Sequence, residues 1–209
     1  MGVSVGRYPL PRIGEDRPRL VLCAVNDALA QAWSAIVDHD EQFGAHRGSI
    51  LEVGADAVVS PANSGGWMRG GIDAVYADEL VGIEDRVRSA VLALHGGELP
   101  VGQALVVPTG TIAPTWLISA PTMREPGERL AAGSVHPYLA ARAVFRLWLH
   151  GRLEDGTALR SVVGTIALPG LGTGVGGVGA GDCARQVVAA WDEVFADSPT
   201  LTPRRASQG

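Results

Sequence analysis

Short apolar runs rich in Val, Ile and Leu alternate with helical patterns along this chain, and that alternation leaves few folds open. RLVLCAV (19–25), FGAHRGSILE (43–52), DAVVS (56–60), QALVVP (103–108), TWLIS (115–119) and SVVGTIALP (161–169) read as strands. Helical patterns fall between them. Asp27, as an N-cap, opens a helix through about Val37, with Leu29, Trp33, Ile36 and Val37 on one face. Residues 72–80 and 83–95 follow. SVHPYLAARAVFRLWLHG is capped by Ser134 and closed by Gly151, and a last helix runs from Asp182 to Phe195. Six strands alternating with about five helices predict an α/β protein: a three-layer α/β/α sandwich around a mixed, mostly parallel sheet of six or seven strands. The expected organisation is an extended arm over residues 1–18, one domain over 19–196 and a flexible tail over 197–209.

Composition narrows the function classes. The net charge is −5, whereas a protein that grips nucleic acid through phosphates carries a basic field, so no stable nucleic-acid binding is expected. All 17 basic residues are Arg, which removes a Schiff-base lysine and a P-loop lysine from consideration. Cys23 and Cys183 stand far apart without a CxxC pair and read as packing residues. The five histidines lack ligand spacing, so no metal is expected. No apolar run is long enough to span a bilayer and residues 1–19 lack an apolar signal core, so the expectation is a cytoplasmic protein.

In α/β sheets ligands bind beyond the carboxyl ends of the strands, where the loops lie. Two strand-to-helix loops are unusually rich in glycine. One lies within DAVVSPANSGGWMRGGIDAVY (56–76), which holds Asn63, Gly65, Gly66, Trp67, Arg69, Gly70, Gly71 and Asp73. The other is LPGLGTGVGGVGAGD (168–182), with five glycines in residues 170–177. Gly172, Gly174 and Gly177 fit G-x-G-x-x-G. The motif lies near the end of the chain with no strand after it, which argues against a dinucleotide-binding Rossmann unit. What the loop offers is close backbone approach and several N–H groups that can face one oxyanion, next to a helix N-terminus.

Three segments in order resemble the macrodomain family of ADP-ribose-binding modules. RGSILEVGADAVVSPANSGG…GGID is similar to that family's GDI, D-A-I-V-N-A-A-N and glycine loop. LPVGQALVVPTGTIAPTWLISAPT resembles its P-x-G-x-A-x-x-T-x-G strand and the strand after it. SVVGTIALPGLGTGVGG resembles S-I-A-F-P-A-L-S-T-G-I-Y-G. The likeness spans about residues 45–195 and implies an α/β/α sandwich with ADP-ribose in a cleft at the strand ends. It implies that Asn63 holds the distal-ribose hydroxyls and that Asp73 activates or orients a water. Ser49 and Ile50 would lie at the adenine, Gly70 and Gly71 at the ribose loop, and Gly172, Thr173, Gly174, Val175, Gly176 and Gly177 along the diphosphate. The activity implied is hydrolysis of ester-linked ADP-ribosyl groups or of O-acetyl-ADP-ribose. A non-catalytic ADP-ribose reader and an ADP-ribose 1″-phosphate phosphatase are the alternatives. The partner would be ADP-ribose, or an ADP-ribosylated protein or nucleotide, with no cofactor.

This chain also departs from the pattern. Ser49 stands where the family has the Asp that reads the adenine amine, which removes a charge from that contact. Gly176 stands where an aromatic packs on the distal ribose. Trp67, Met68 and Arg69 put bulk where relatives have glycine; Trp67, Tyr76, Met123 and Arg124 are the candidates to rebuild the missing wall, with Trp67, Arg69 and Arg124 as accessory site residues. Two local readings compete with the functional ones: Asp73 as a helix N-cap, and Asn63 as an Asx-turn at the strand end.

Overall fold

The computed structural model describes residues 16–195. The expected tail over 197–209 and all but the last three residues of the expected arm lie outside them. Six strands form one sheet: β1 (Arg19–Ala24), β2 (Phe43–Arg47), β3 (Ala57–Ser60), β4 (Leu105–Pro108), β5 (Trp116–Ser119) and β6 (Thr165–Leu168). Their order across the sheet is β2-β1-β6-β3-β5-β4. Every neighbouring pair is parallel except β4–β5, so the sheet is mixed and mostly parallel.

Five helices cover its faces: α1 (Asp27–Ser34), α2 (Gly71–Glu79), α3 (Ile83–His95), α4 (His136–His150) and α5 (Ala180–Phe195). Successive strand residues point to opposite faces, and the core divides accordingly. Leu20, Leu22, Val59, Ile118, Ile166 and Leu168 meet α1, α4 and α5. Val21, Cys23, Val58, Leu117 and Ala167 meet α2 and α3. The first layer is the aromatic one. Trp191 stands edge-on to Phe43 and Phe145, at ring centroid distances of 4.8 and 5.3 Å, and its Nε1 donates to Asp40 Oδ2 at 3.0 Å.

Several boundaries differ from the sequence expectation, each for a local reason. Asn26, not Asp27, caps α1, its Oδ1 accepting from Leu29 N at 2.9 Å; the helix stops at Ser34, and Val37–His39 form a separate 3₁₀ turn. The second strand ends at Arg47 because Gly48 takes φ 153° and Ser49 caps a 3₁₀ turn over Ile50–Glu52. The strand expected over 161–169 is confined to 165–168, preceded by a 3₁₀ turn at Leu159–Ser161. Helix α4 starts at His136 with Val135 at the cap position, while Ser134 Oγ accepts only the His136 N–H at 3.3 Å. Helix α5 begins two residues earlier than expected, at Ala180. Among the described residues no helix is long and apolar enough to cross a membrane.

Candidate functional site

The parallel strands β1, β6, β3 and β5 run the same way, so the loops leaving their carboxyl ends gather at one edge of the sheet. There they enclose a cleft of ≈ 590 Å³, a size suited to a small-molecule ligand. β6 is inserted between β1 and β3, which brings the loop after β6 against the loop after β3 although about a hundred residues separate them in the chain.

Asn63, Trp67, Arg69, Gly70, Gly71 and Asp73 line the cleft from the first glycine loop, and Gly172, Thr173, Gly174, Val175 and Gly176 from the second; Ile50 lies on its wall. Three other sequence-derived candidates lie elsewhere. Ser49 caps the turn beside the cleft and borders a shallower pocket with Arg47 and Val75. Gly177 lies outside the lining, its N–H donating to Gly174 O at 3.1 Å to close the loop. Arg124 projects to the surface and pairs with Glu98 through Nε at 2.8 Å.

Asp73 sits in the first turn of α2, but Gly70 holds the cap position. The carboxylate instead accepts a hydrogen bond from Ser60 Oγ at 2.5 Å and is 8% exposed. Burial pushes its pKa up from the ordinary 3.8 to about 7, against the opposing pull of the Ser60 hydroxyl. Among the described residues it is the only carboxyl lining the cleft, and Arg69 is the only cation. Cys23, also on the wall, is held as an un-ionised thiol, its pKa pushed by burial up to about 12.

Asn63 is spent partly on its own loop. Its Nδ2 donates to Trp67 O at 2.8 Å and its Oδ1 accepts from Trp67 N at 3.2 Å, so the amide pairs with the Trp67 backbone as one strand would with another. One N–H and one lone pair of the amide remain for a ligand. Asn63→Ala is therefore expected to cost about 2 kcal/mol of stability, because it leaves the part-buried N–H and C=O of Trp67 unpaired. Urea unfolding checks this, and a loss below about 0.5 kcal/mol would show that the clamp does not hold the loop.

The bulk of this loop is disposed of by packing. Met68 is 1% exposed and lies in the core between the sheet and α2–α3, while its N–H donates to Glu84 Oε2 at 3.0 Å. Only Trp67 and Arg69 reach the cleft. Tyr76 is wholly buried, its hydroxyl donating to Val59 O at 3.0 Å, and so lies beneath the site rather than on its wall.

The second loop curls back on itself: Val178 N donates to Gly172 O at 3.0 Å, and Gly172 and Gly177 take φ of 66° and 75°. A Cβ on Gly176 would stand 2.6 Å from the Gly172 carbonyl oxygen and 3.2 Å from Leu130 Cδ1, so this curl leaves no room for a side chain there. Among the described residues, the amides of Thr173, Gly174, Val175 and Gly176 donate to no protein acceptor. Leu171 N meets Cys183 Sγ at 3.3 Å, which ties the start of the loop to α5.

Ala24 at the end of β1, Val25, Asn26 and Leu29 beyond it, Thr122 after β5, and Pro169 and Gly170 also line the cleft without having stood out as motif residues, and Met123, expected as a wall residue, lines it too. The signal was present: all lie at or beyond the carboxyl ends of strands flanking the two glycine loops.

Residues 59–187 match the Macro domain family model. An uncharacterized protein of Aquifex aeolicus (strain VF5) is 37% identical over 142 residues, covering 68% of this chain and 76% of that protein. The solved macrodomain of Mycobacterium tuberculosis DarG shares the fold with a TM-score of 0.57 at 22% identity, covering 72% of this chain and 90% of that one. A variant of the Oceanobacillus iheyensis macrodomain, solved with ADPR, does so with a TM-score of 0.55 at 16% identity, covering 72% and 76%. By its sequence match and by its fold alike, the chain belongs to the Macro domain family.

Proposed function

We propose that the cleft binds ADP-ribose and that Asp73 orients and deprotonates a water for hydrolysis at the distal ribose, releasing ADP-ribose from an ester-linked acceptor or from O-acetyl-ADP-ribose. The observation that carries this reading is the single buried carboxyl in the cleft lining, held on Ser60 and set with a pKa near the working pH. A base works best when its pKa lies close to the ambient pH. The ligand-binding half draws on the family, one of whose solved members carries ADPR. It also draws on the donors of Thr173–Gly176, which suit the oxygens of a diphosphate. Ile50, Ile72 and Leu29 supply apolar wall for a base. The free N–H and lone pair of Asn63 match two neighbouring ribose hydroxyls.

For O-acetyl-ADP-ribose the water adds to the acetyl carbonyl and acetate leaves. For the ester-linked acceptor the bond at C1″ breaks through an oxocarbenium-like transition state, and the water must arrive already positioned. A carboxylate beside the distal ribose does that and takes the proton. A second reading, binding without turnover, is favoured by the commitment of Asn63 to Trp67, which ties up half of the amide's hydrogen-bonding capacity.

Two measurements on the full chain test these readings. ADP-ribose at a hundred times its Kd is expected to stabilise the fold by about 2.7 kcal/mol. An ester-modified protein substrate is expected to release free ADP-ribose. No thermal shift in millimolar ADP-ribose would overturn the ligand; a shift without release from any ester would leave the reader.

A further inference from the structure

The lip of the cleft next to Asn63 carries two guanidinium groups on one ring. Arg69 Cζ lies 4.2 Å from the Trp67 ring centroid and Arg88 Cζ lies 3.5 Å from it. Arg69 comes from the loop and Arg88 from α3, so two separate elements deliver charge to the same indole. The Asn63 clamp holds the Trp67 backbone, from which that indole projects, against the loop. Glu84 is the nearby carboxylate, yet its Oε2 accepts from Met68 N and its Oε1 stands 3.9 Å from Arg69 Nε. Among the described residues the Arg69 Nη groups donate to no protein acceptor, and the side chain is 72% exposed. Two like charges over one ring, with Glu84 as the carboxylate that pairs with Arg69 among the described residues, leave surplus positive charge at the lip.

The rest of the lining says what that charge is for. Asp73 is taken up by the water, and among the described residues no His, Lys, Tyr or second carboxyl lines the cleft. The Cys23 thiol faces Val21 O at 3.5 Å. No group is left to protonate a departing acceptor, so the acceptor must leave as an anion. We propose that Arg69, steadied on Trp67 together with Arg88, receives the acceptor's carboxylate as it departs from C1″ and so restricts the enzyme to ester-linked ADP-ribosyl groups. This rests on the hydrolytic reading given above. The C1″–O bond breaks with both electrons going to the acceptor's carboxylate oxygen. The oxygen of water bonds to C1″, and its proton passes to the Asp73 carboxylate. Free carboxylate and ADP-ribose result. An alcohol or guanidine acceptor would need a proton that no lining group supplies.

ADP-ribose esterified at the 1″-oxygen with a series of substituted benzoic acids tests the role, because the leaving acid's pKa varies while the rest of the substrate stays constant. In Arg69→Gln, kcat is expected to fall about tenfold. The plot of log kcat against the acid's pKa is expected to steepen, since charge on the leaving oxygen is no longer offset. Trp67→Ala, which removes the platform, is expected to move the slope in the same direction. ADP-ribose itself lacks the carboxylate, so its Kd is expected to stay within about twofold in Arg69→Gln. An unchanged slope overturns the role of Arg69 whatever the rate does, and a tenfold weaker ADP-ribose complex overturns it by placing Arg69 on the ligand's phosphates. Absence of turnover by the unaltered protein on every ester overturns the hydrolytic reading itself, and this inference with it.

Discussion

Asp73→Asn is expected to lower turnover of an ester-linked ADP-ribosyl substrate by roughly 10²–10⁴-fold, the range over which a positioned general base contributes. The carboxamide keeps the shape of the side chain and can still accept from the Ser60 hydroxyl, but it cannot take a proton from water. ADP-ribose affinity is expected to change by no more than a few-fold, since the substitution keeps the side chain's shape and its contact with Ser60. In the unaltered protein kcat/KM is expected to climb with pH and level off above about 7, as the carboxyl ionises. Single-turnover release of ADP-ribose, followed between pH 5 and 9, reads both. Turnover in Asp73→Asn within threefold of the original would remove Asp73 from the mechanism.

The same carboxyl is expected to tax the fold at neutral pH. In the unfolded chain Asp73 ionises near 3.8, in the folded one near 7. Between those values the folded state binds the extra proton, so stability is highest at and below about pH 4 and falls as pH rises toward 7. The full difference is on the order of 4 kcal/mol. Asp73→Asn carries no such dependence. Its stability relative to the parent is therefore expected to grow by that order between pH 4 and pH 8, when urea unfolding is run at both. A constant difference across that range would mean that the carboxyl is hydrated rather than buried. A carboxyl kept buried in a cleft at a cost in stability is a common mark of a functional site.

Much of this was legible from the residues. The strands could be read because their apolar runs are short, Val- and Ile-rich and bounded by turns. The sheet order could not, because nothing in the spacing of residues 165–168 says that they enter between β1 and β3. Helix boundaries went astray where two capping residues stand side by side: Asn26 and Asp27 are both good caps, and only the geometry of the turn selects Asn26. The long strand expected over 43–52 was broken by a glycine whose backbone angle is invisible in its letter. At the site, the two glycine loops were found because their length has no structural excuse. Met68 was misjudged as bulk in the cleft, since the side to which a loop residue turns depends on the core behind it. Arg124 was attractive only as a nearby charge; Glu98 holds it at the surface. The β1 loop was missed because its lining residues, Ala24, Val25 and Leu29, carry shape and no chemistry.

The place of β6 in the sheet bears on how the protein is made. A chain emerging from the ribosome presents β1 through β5 long before residues 165–168 exist. Until then β1 and β3 have no partner between them, and each offers an open edge to any neighbouring strand. The bridge that β6 provides is uneven: four residue pairs to β1, but only Ala57↔Ile166 and Val58↔Ala167 to β3. The two halves of the cleft hang on either side of that narrow seam. Both loops of the cleft are therefore in place only once β6 has joined the sheet, and on the proposed reading a nucleotide lying across them would serve as a late fastener for the newly closed sheet.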